Sequence, residues 1–124
     1  MSEVPSYPLI INGERCEPAA GQYEDVINPA TGEVIARAAM GAAADVDIAV
    51  KAARAAFDQR DWREMNPAER SKVLYACAHT VMQNAQELIE LEIGCSGATL
   101  NRVSSLDIPA VADLWMNLAE AVKT

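Results

Sequence analysis

The spacing of apolar residues changes near residue 40, and this change most limits the folds open to the chain. Upstream, apolar and polar residues alternate in short runs between turn sequences, whereas downstream the apolar residues recur at helical spacing. We therefore predict an α+β fold, with strands and hairpins in residues 1–40 and about four helices in residues 41–124.

Two turn sequences predict the hairpins. In "LIINGERCEP", the dipeptide Asn12-Gly13 supplies the positive φ angles of a type I′ turn between two short strands. In "YEDVINPATGEVIARAAM", Pro29 has a fixed φ and Gly32 provides a permissive backbone position, so a second pair of strands is predicted on either side. The first 40 residues are thus expected to hold about four short strands.

Two helix starts are marked by capping residues. Asn66 precedes Pro67 and is followed three positions later by Glu69, which is the pattern of an N-cap, a proline in the first turn and a capping box. Asn84, with Glu87 three positions on, predicts a second start. Each start is followed by apolar residues at helical spacing.

The ends and buried faces of the helices follow from glycine, proline and apolar spacing. Gly94 and Gly97 are predicted to end the helix that starts after residue 84, and Pro109 fits the first turn of the last helix, where its missing amide is tolerated. The predicted buried faces consist of Val46, Ala49, Val50, Ala53 and Phe57 in the first helix, of Leu74, Cys77, Ala78, Val81 and Met82 with Val73 beside them in the next, and of Ile108, Val111, Trp115, Leu118 and Val122 in the last.

Composition narrows the class of protein. The formal net charge is -8 and the 10 Lys and Arg residues form no basic patch, so nucleic acid is not an expected partner. No apolar run approaches the roughly 18 residues of a membrane span, so no membrane partner is expected either. Three widely spaced cysteines are typical of reduced thiols rather than a disulfide framework, which predicts a cytoplasmic protein.

No catalytic or cofactor-binding residue is predicted within the chain. Cys77 lies on a predicted buried face, where a structural thiol is expected, and Cys16 lies between acidic neighbours that disfavour a thiolate. Cys95 is expected just past a helix end, where the helix dipole also disfavours a thiolate. The single histidine, His79, lies among helical residues and is interpreted as a surface or packed side chain. No glycine-rich loop follows a strand, so no phosphate-binding loop is predicted.

Five stretches, in order, resemble the N-terminal quarter of the NAD(P)-dependent aldehyde dehydrogenase superfamily. They are the Ile-Asn-Gly start, the Asn-Pro-Ala-Thr-Gly-Glu turn, "DVDIAVKAARAAFD", "WREMNPAER" and "LIELEIGCSGATL". Two positions depart from the family pattern. Glu14-Arg15 replaces an aromatic corner, and Cys95 stands where the family has an Asp before its Ser/Thr-Gly-Lys-Pro stretch.

The resemblance implies that the chain is a fragment of an α/β aldehyde dehydrogenase fold. The parent enzyme would convert an aldehyde to a carboxylic acid with NAD or NADP and would form a homo-oligomer. Residues 41–124 would pack on a cofactor-binding domain that this chain lacks. The nucleophilic cysteine, the general base and the cofactor loop of the family fall outside these residues.

Two readings of the chain's role follow from this resemblance. In the first, the 124 residues are the N-terminal portion of the enzyme, have the remainder of the polypeptide as their partner, and alone bind no cofactor and catalyse nothing. The alternative is a non-catalytic structural or assembly subunit derived from the same family.

The resemblance also implies two sites. Asp107 and Ala110 would lie near the mouth of the substrate tunnel, although a small residue at position 110 is also typical of a helix contact. The carbonyl groups of Val26 and Ile27 would contribute to a monovalent-cation site. A family carboxylate assists that site, and because Cys95 takes its place we expect the site to be weak or lost.

Overall fold

The computed structural model describes residues 4–123, and within them five strands precede the helices, as predicted. The strands are β1 (Ser6–Tyr7), β2 (Leu9–Ile11), β3 (Glu14–Cys16), β4 (Tyr23–Ile27) and β5 (Val34–Ala39). The helices are α1 (Ala43–Asp58), α2 (Arg60–Glu64), α3 (Pro67–Gln83), α4 (Ala85–Ser96), α5 (Leu100–Arg102) and α6 (Ile108–Ala121), with a π-helical turn at Val103–Asp107 between the last two. Four of these helices have 12 or more residues, which confirms the predicted α+β architecture.

The chain divides into two compact units, of which the first ends at Arg60 and the second begins at Asp61. The predicted division between residues 40 and 41 follows the change from strands to helices, and the packing of residues 41–124 on a cofactor-binding domain stays a prediction. No helix within residues 4–123 combines the length and the apolar character needed to cross a membrane.

Both predicted hairpins are present in the first unit. Strands β2 and β3 pair antiparallel around Asn12 and Gly13, which have φ values of 54° and 79°, as a type I′ turn requires. Strands β4 and β5 also pair antiparallel. In their turn, the amide of Gly32 donates to the Asn28 carbonyl at 2.8 Å, and the Asn28 side chain accepts from the amide of Ala30 at 2.9 Å.

Strand β1 was not predicted from the sequence. It adds to the outer edge of β5 in parallel orientation, so that the sheet has the order β1-β5-β4. Ser6 aligns with Arg37, and the Arg37 amide donates to the Pro5 carbonyl at 2.9 Å. A two-residue strand has too little alternation to be recognised, and its partner is distant in sequence.

The predicted buried face of α1 is correct at Ala49, which is half-buried beside the β2–β3 hairpin, and wrong at the larger residues. Val46, Val50 and Phe57 are exposed by 56%, 61% and 68%. The side of the helix that faces the β2–β3 hairpin carries Asp45 and several alanines. This side is rotated by about a quarter turn around the helix axis from the predicted face. Asp45 is buried because its carboxylate accepts hydrogen bonds from backbone amides, and this polar contact fixes the rotation of the helix.

The second unit is built on the packing of α3 against α6. Small residues at the contact let the two helices approach closely, and the buried ones are Ser71, Ala78, Ala112 and Ala119. The predicted α3 face is correct at Ala78 but wrong at Met82, which is 50% exposed. The predicted α6 face is correct at Ile108 and wrong at Val111 and Leu118, because the line of alanines occupies the contact instead.

The helix boundaries follow the capping chemistry in part. The Asn66 side chain accepts from the Glu69 amide at 2.9 Å while the Glu69 carboxylate accepts from the Asn66 amide at 3.3 Å, which confirms the capping box. Helix α4 does begin after Asn84, but that side chain caps no amide of α4 and instead donates to the Thr80 carbonyl in the last turn of α3. Gly97, with a φ of 70°, ends α4, whereas Gly94 lies inside it.

Candidate functional site

The start of the long helical segment Leu100–Ala121 brings together the residues predicted at the substrate side. Its π-helical turn is closed by the Ile108 amide, which donates to the carbonyl of Val103, five residues back. Val103 has no exposed surface and Ile108 is buried, so both ends of the turn are held in the core of the second unit. Pro109 follows directly, in the first turn of α6, but helical turns precede it.

The predicted pair Asp107 and Ala110 lies on adjacent helical turns of this segment. Asp107 forms an ion pair with Arg102, with Nε to Oδ2 at 3.2 Å, and Ala110 is exposed. Sequence reasoning missed Arg102, because opposite charges five residues apart are not neighbours on a regular α-helix. Only the wider turn brings the guanidinium to the carboxylate.

Two serines inside the turn use their hydroxyl groups locally. Ser104 Oγ donates to the Leu100 carbonyl at 2.8 Å, and Ser105 Oγ donates to the Asn101 carbonyl at 2.5 Å. Such bonds to the carbonyl four residues back often accompany a bend in a helix. The serines therefore supply donors to a segment in which the regular backbone ladder is interrupted.

The residues predicted for cation binding lie at a bulge in the first unit. Val26 aligns with Ala36 but Ile27 aligns with Val34, so Ile35 is an extra residue in β5. Val26 is half-buried and Ile27 is 53% exposed. A bulge of this kind disturbs the ladder at these two positions.

The ligands present are a poor fit for an alkali cation. The nearest carboxylate in sequence, Asp25, is paired with Arg37 at 3.3 Å. Cys95, at the position of the family carboxylate, is an exposed thiol in the last turn of α4, and neutral sulfur is a poor ligand for a hard cation. Two backbone carbonyl groups alone do not supply the six or more oxygen ligands that hard cations usually take.

The remaining nucleophiles and bases do not converge. Cys16 and Cys77 are half-buried, and Cys95 lies inside α4 rather than just past its end. His79 is exposed at the rim of a cavity of about 240 Å³ between α3 and α6, where Met82 and other apolar side chains complete the lining. Across the described residues, no three His, Cys, Asp or Glu side chains are grouped to hold a metal ion.

A polar cluster links the middle of α3 to the end of α6. Tyr75 donates a hydrogen bond to Glu120, Lys123 Nζ donates to the same carboxylate at 2.7 Å, and the Lys123 ammonium lies 5.2 Å from the Tyr75 ring centre. The two donors lower the pKa of Glu120, with Lys123 the larger cause, and the hydrogen bond to Glu120 raises the pKa of Tyr75. The sequence gives no signal for this contact, because 45 residues separate its partners.

Two exposed apolar surfaces, one in each unit, have no assigned role. The α1 stripe consists of Val46, Val50 and Phe57, and the α6 stripe consists of Val111, Leu114 and Leu118, all of them exposed by 42% or more. Residues at such spacing lie on one side of a helix. Contiguous exposed apolar surface is typical of an interface.

The family model for the aldehyde dehydrogenase family matches residues 17–124. The chain belongs to the aldehyde dehydrogenase family. The match extends into both units and confirms the resemblance, including its assignment to the N-terminal segment of these enzymes.

Curated relatives and solved structures agree with this assignment. The chain is 45% identical over 101 residues to the putative aldehyde dehydrogenase DhaS of Bacillus subtilis. This alignment covers 82% of the chain and 20% of that protein. It is 41% identical over 107 residues to the mitochondrial aldehyde dehydrogenase family 2 member B4 of Arabidopsis thaliana. This alignment covers 86% of the chain and 20% of that protein. The NAD-dependent aldehyde dehydrogenase of Sinorhizobium meliloti matches with a TM-score of 0.89 at 31% identity, covering 95% of this chain and 24% of that one. The chain thus spans about a fifth of the length of its curated aldehyde dehydrogenase relatives.

Proposed function

We propose that this segment serves as the N-terminal portion of an enzyme that oxidises an aldehyde to a carboxylic acid with NAD or NADP. The observation that carries the proposal is the family match over residues 17–124 in a chain that spans 20% of its relatives. The segment would contribute scaffold and part of the substrate passage, and the remaining polypeptide would supply the nucleophile and the cofactor site.

The two apolar stripes support docking on the remainder of the polypeptide. Val46, Val50 and Phe57 would otherwise leave a helix side of large apolar residues in water, and each fully buried Val or Phe contributes roughly 1.5–3 kcal/mol. Docking on the remaining polypeptide would also explain why the α1 stripe is not covered by any part of residues 4–123. We further propose a cytoplasmic homo-oligomer that binds neither nucleic acid nor membrane, in line with the net charge of -8.

The site predictions carry over as proposals. Asp107 and Ala110 would border the substrate passage, supported by their places on adjacent helical turns, where Asp107 is half-buried in its ion pair and Ala110 is exposed. The Val26 and Ile27 carbonyl groups would bind a monovalent cation weakly or not at all, since the neighbouring Asp25 is held in an ion pair with Arg37 and Cys95 offers a thiol in place of the family carboxylate.

The test compares three preparations. They are residues 1–124 alone, the same residues mixed with a separately expressed remainder, and the continuous polypeptide. We expect NAD(P)-dependent aldehyde oxidation from the continuous polypeptide, no activity and loose packing or self-association from residues 1–124, and recovery of activity on mixing. A sharply melting, monomeric 124-residue chain would favour the alternative, a non-catalytic assembly subunit, and activity of that chain alone would refute the proposal.

A matched pair of substitutions tests the docking surface. Val46→Asp places a charge on the α1 stripe, whereas Ile48→Asp places one on the opposite side of the same helix, where the side chain is 54% exposed. We expect Val46→Asp to abolish recovery on mixing and Ile48→Asp to preserve it, because a buried unpaired charge is costly. Equal recovery with both variants would remove the stripe from the interface.

A further inference from the structure

One edge of strand β2 has no partner. The strand pairs only with β3, and the two-residue turn makes Ile11 and Glu14 a hydrogen-bonded pair. Because pair types alternate along an antiparallel ladder, Ile10 and Arg15 form a non-hydrogen-bonded pair, and their amide and carbonyl groups point away from the hairpin on opposite edges. Within residues 4–123, no hydrogen bond joins the Ile10 backbone to another element. Ile10 therefore has an unused backbone donor and acceptor.

The side chains of β2 do not protect this edge. Its sequence is Leu-Ile-Ile, and Ile10 is 65% exposed. The other edge strands of the described residues carry polar or charged side chains, which are Ser6 in β1, Glu14 and Arg15 in β3, and Glu24 and Asp25 in β4. Charged residues on an edge oppose pairing with another strand, whereas a bare apolar edge favours it. Strand addition to the hairpin is therefore favoured at β2 rather than at β3.

A groove between β2 and α1 adjoins this edge. It consists of two neighbouring cavities of about 230 Å³ and 190 Å³, which share Ile10, Ile11 and Ala49 in their linings. Small side chains on α1 leave this space open, and they are Ala49, Ala52, Ala53 and Ala56. Among the described residues, none from β3 lines either cavity. The free edge of β2 and the alanine side of α1 thus border one apolar groove.

The groove fits an extended apolar segment. Asp45 is the single charged residue in its lining and already accepts hydrogen bonds from two backbone amides, so no free charge is left to recognise an acidic or basic ligand. Alternate side chains of a strand point to the same face, so residues two apart can place their side chains in the two cavities. In strand addition, main-chain hydrogen bonds give affinity and such cavities give specificity.

We propose that the β2 edge and this groove bind one extended, apolar segment of the remaining polypeptide, which becomes the third strand of the hairpin sheet. The matched residues make up 20% of the Bacillus subtilis relative, so most of such an enzyme lies outside them and includes the occupant. The inference rests on the proposed function, because the occupant belongs to the same enzyme. It adds the conformation of the occupant and its hydrogen-bonding partner, the Ile10 backbone.

Hydrogen exchange of single backbone amides in the continuous polypeptide tests the proposal. We expect the Ile10 amide to exchange on the order of 100-fold more slowly than the Arg15 amide, after correction for intrinsic rates. Arg15 is the matched internal control, because its amide points out from the opposite edge of the same hairpin. Equal exchange of the two amides overturns the proposal. Protection of Ile10 that is lost on dilution also overturns it, because the occupant would then be a second copy.

A pair of proline substitutions identifies the occupant. Ile10→Pro removes the outward amide, and Arg15→Pro makes the same change on the β3 edge; proline is accepted where the amide faces away from the ladder. In the continuous polypeptide, we expect Ile10→Pro to speed exchange at least about tenfold in one segment outside residues 1–124, and Arg15→Pro to leave that segment unchanged. The same response to both variants, or no response outside residues 1–124, overturns the proposal.

The two proposals fail in different ways. If Ile10→Pro does not fold, the exchange of the Ile10 amide in the wild-type polypeptide still decides the strand addition. Exchange is measured without a substrate, so its result does not depend on turnover. A wild-type polypeptide that oxidises no aldehyde would instead refute the proposed function.

Discussion

Both carboxylate oxygens of Asp45 accept a hydrogen bond from the backbone amide of Ala19, at 3.0 Å and 3.2 Å. One of them also accepts from the amide of Ala42, at 2.8 Å, at the start of α1. A single buried side chain thus joins the loop before β4 to the helix that follows β5, in one unit.

Asp45→Ala is expected to destabilise the first unit by about 2–4 kcal/mol, because it leaves two amides without their charged acceptor. Denaturant unfolding of the continuous polypeptide measures the loss. Asp47→Ala, two residues on and exposed, is the control and should cost less than about 0.5 kcal/mol. Equal losses for the two variants would contradict the role given to the buried carboxylate.

Asn66→Ala removes the N-cap of α3 and is expected to lower the free energy of unfolding by about 1 kcal/mol. Asn84→Ala is the comparison, because its side chain accepts no capping hydrogen bond at the start of α4 and loses only an exposed hydrogen bond to the Thr80 carbonyl. In thermal melting followed by circular dichroism, the Asn66→Ala variant should have a clearly lower melting temperature than the Asn84→Ala variant. The reverse order would show that the capping box adds nothing to stability.

The Tyr75–Glu120–Lys123 cluster predicts a pH dependence at both extremes. The pKa of Glu120 lies below its usual 4.5, so its stabilising effect is present above pH 4.5 and is lost as pH falls through the lowered value. The pKa of Tyr75 lies above 10.0, so its effect is present below pH 10 and is lost as pH rises through the raised value. Both effects are small, because the groups are exposed and screened.

Tyrosine absorbance during an alkaline titration checks this cluster. Glu120→Gln is expected to bring the pKa of Tyr75 down toward 10. Tyr23, whose pKa is raised by its hydrogen bond to Glu17 at 2.6 Å, is the internal control and should keep its titration. An unchanged Tyr75 titration in the variant would show that Glu120 is not its partner in solution.

Ala110→Phe is expected to lower kcat/KM for bulky aldehydes about tenfold more than for acetaldehyde, because a larger side chain narrows the proposed passage. Steady-state kinetics of the continuous polypeptide measures both values. Ala76→Phe adds the same ring at an exposed position of α3 and should leave the ratio unchanged. Equal effects of Ala110→Phe on both aldehydes would place Ala110 outside the passage.

The features predicted correctly from the sequence depend on local chemistry. The Asn12-Gly13 turn and the Asn66 capping box depend only on neighbouring residues, so the local sequence is enough to predict them. Gly94 was wrongly predicted to end a helix, because a glycine inside a helix costs only about 1 kcal/mol and the surrounding contacts outweigh it.

The features that were missed depend on distant partners. The buried side of α1 is chosen by the contact between Asp45 and a loop 26 residues away, which outweighs the larger apolar residues of the α1 stripe. The buried side of the last helix is obscured by the π-helical turn, since the five-residue spacing of Val103 and Ile108 fits no regular period. For the candidate site, the family resemblance implied Asp107, and the sequence could not reveal its partner Arg102.

The parallel pairing of β1 with β5 has a consequence for the order of folding. The β2–β3 and β4–β5 hairpins close over short loops, and such hairpins form within microseconds. Pairing of β1 with β5 closes a loop of roughly thirty residues and adds only two residues to the sheet. The first unit is therefore expected to fold from its hairpins outward, with its earliest strand in sequence the last to join and the first to detach.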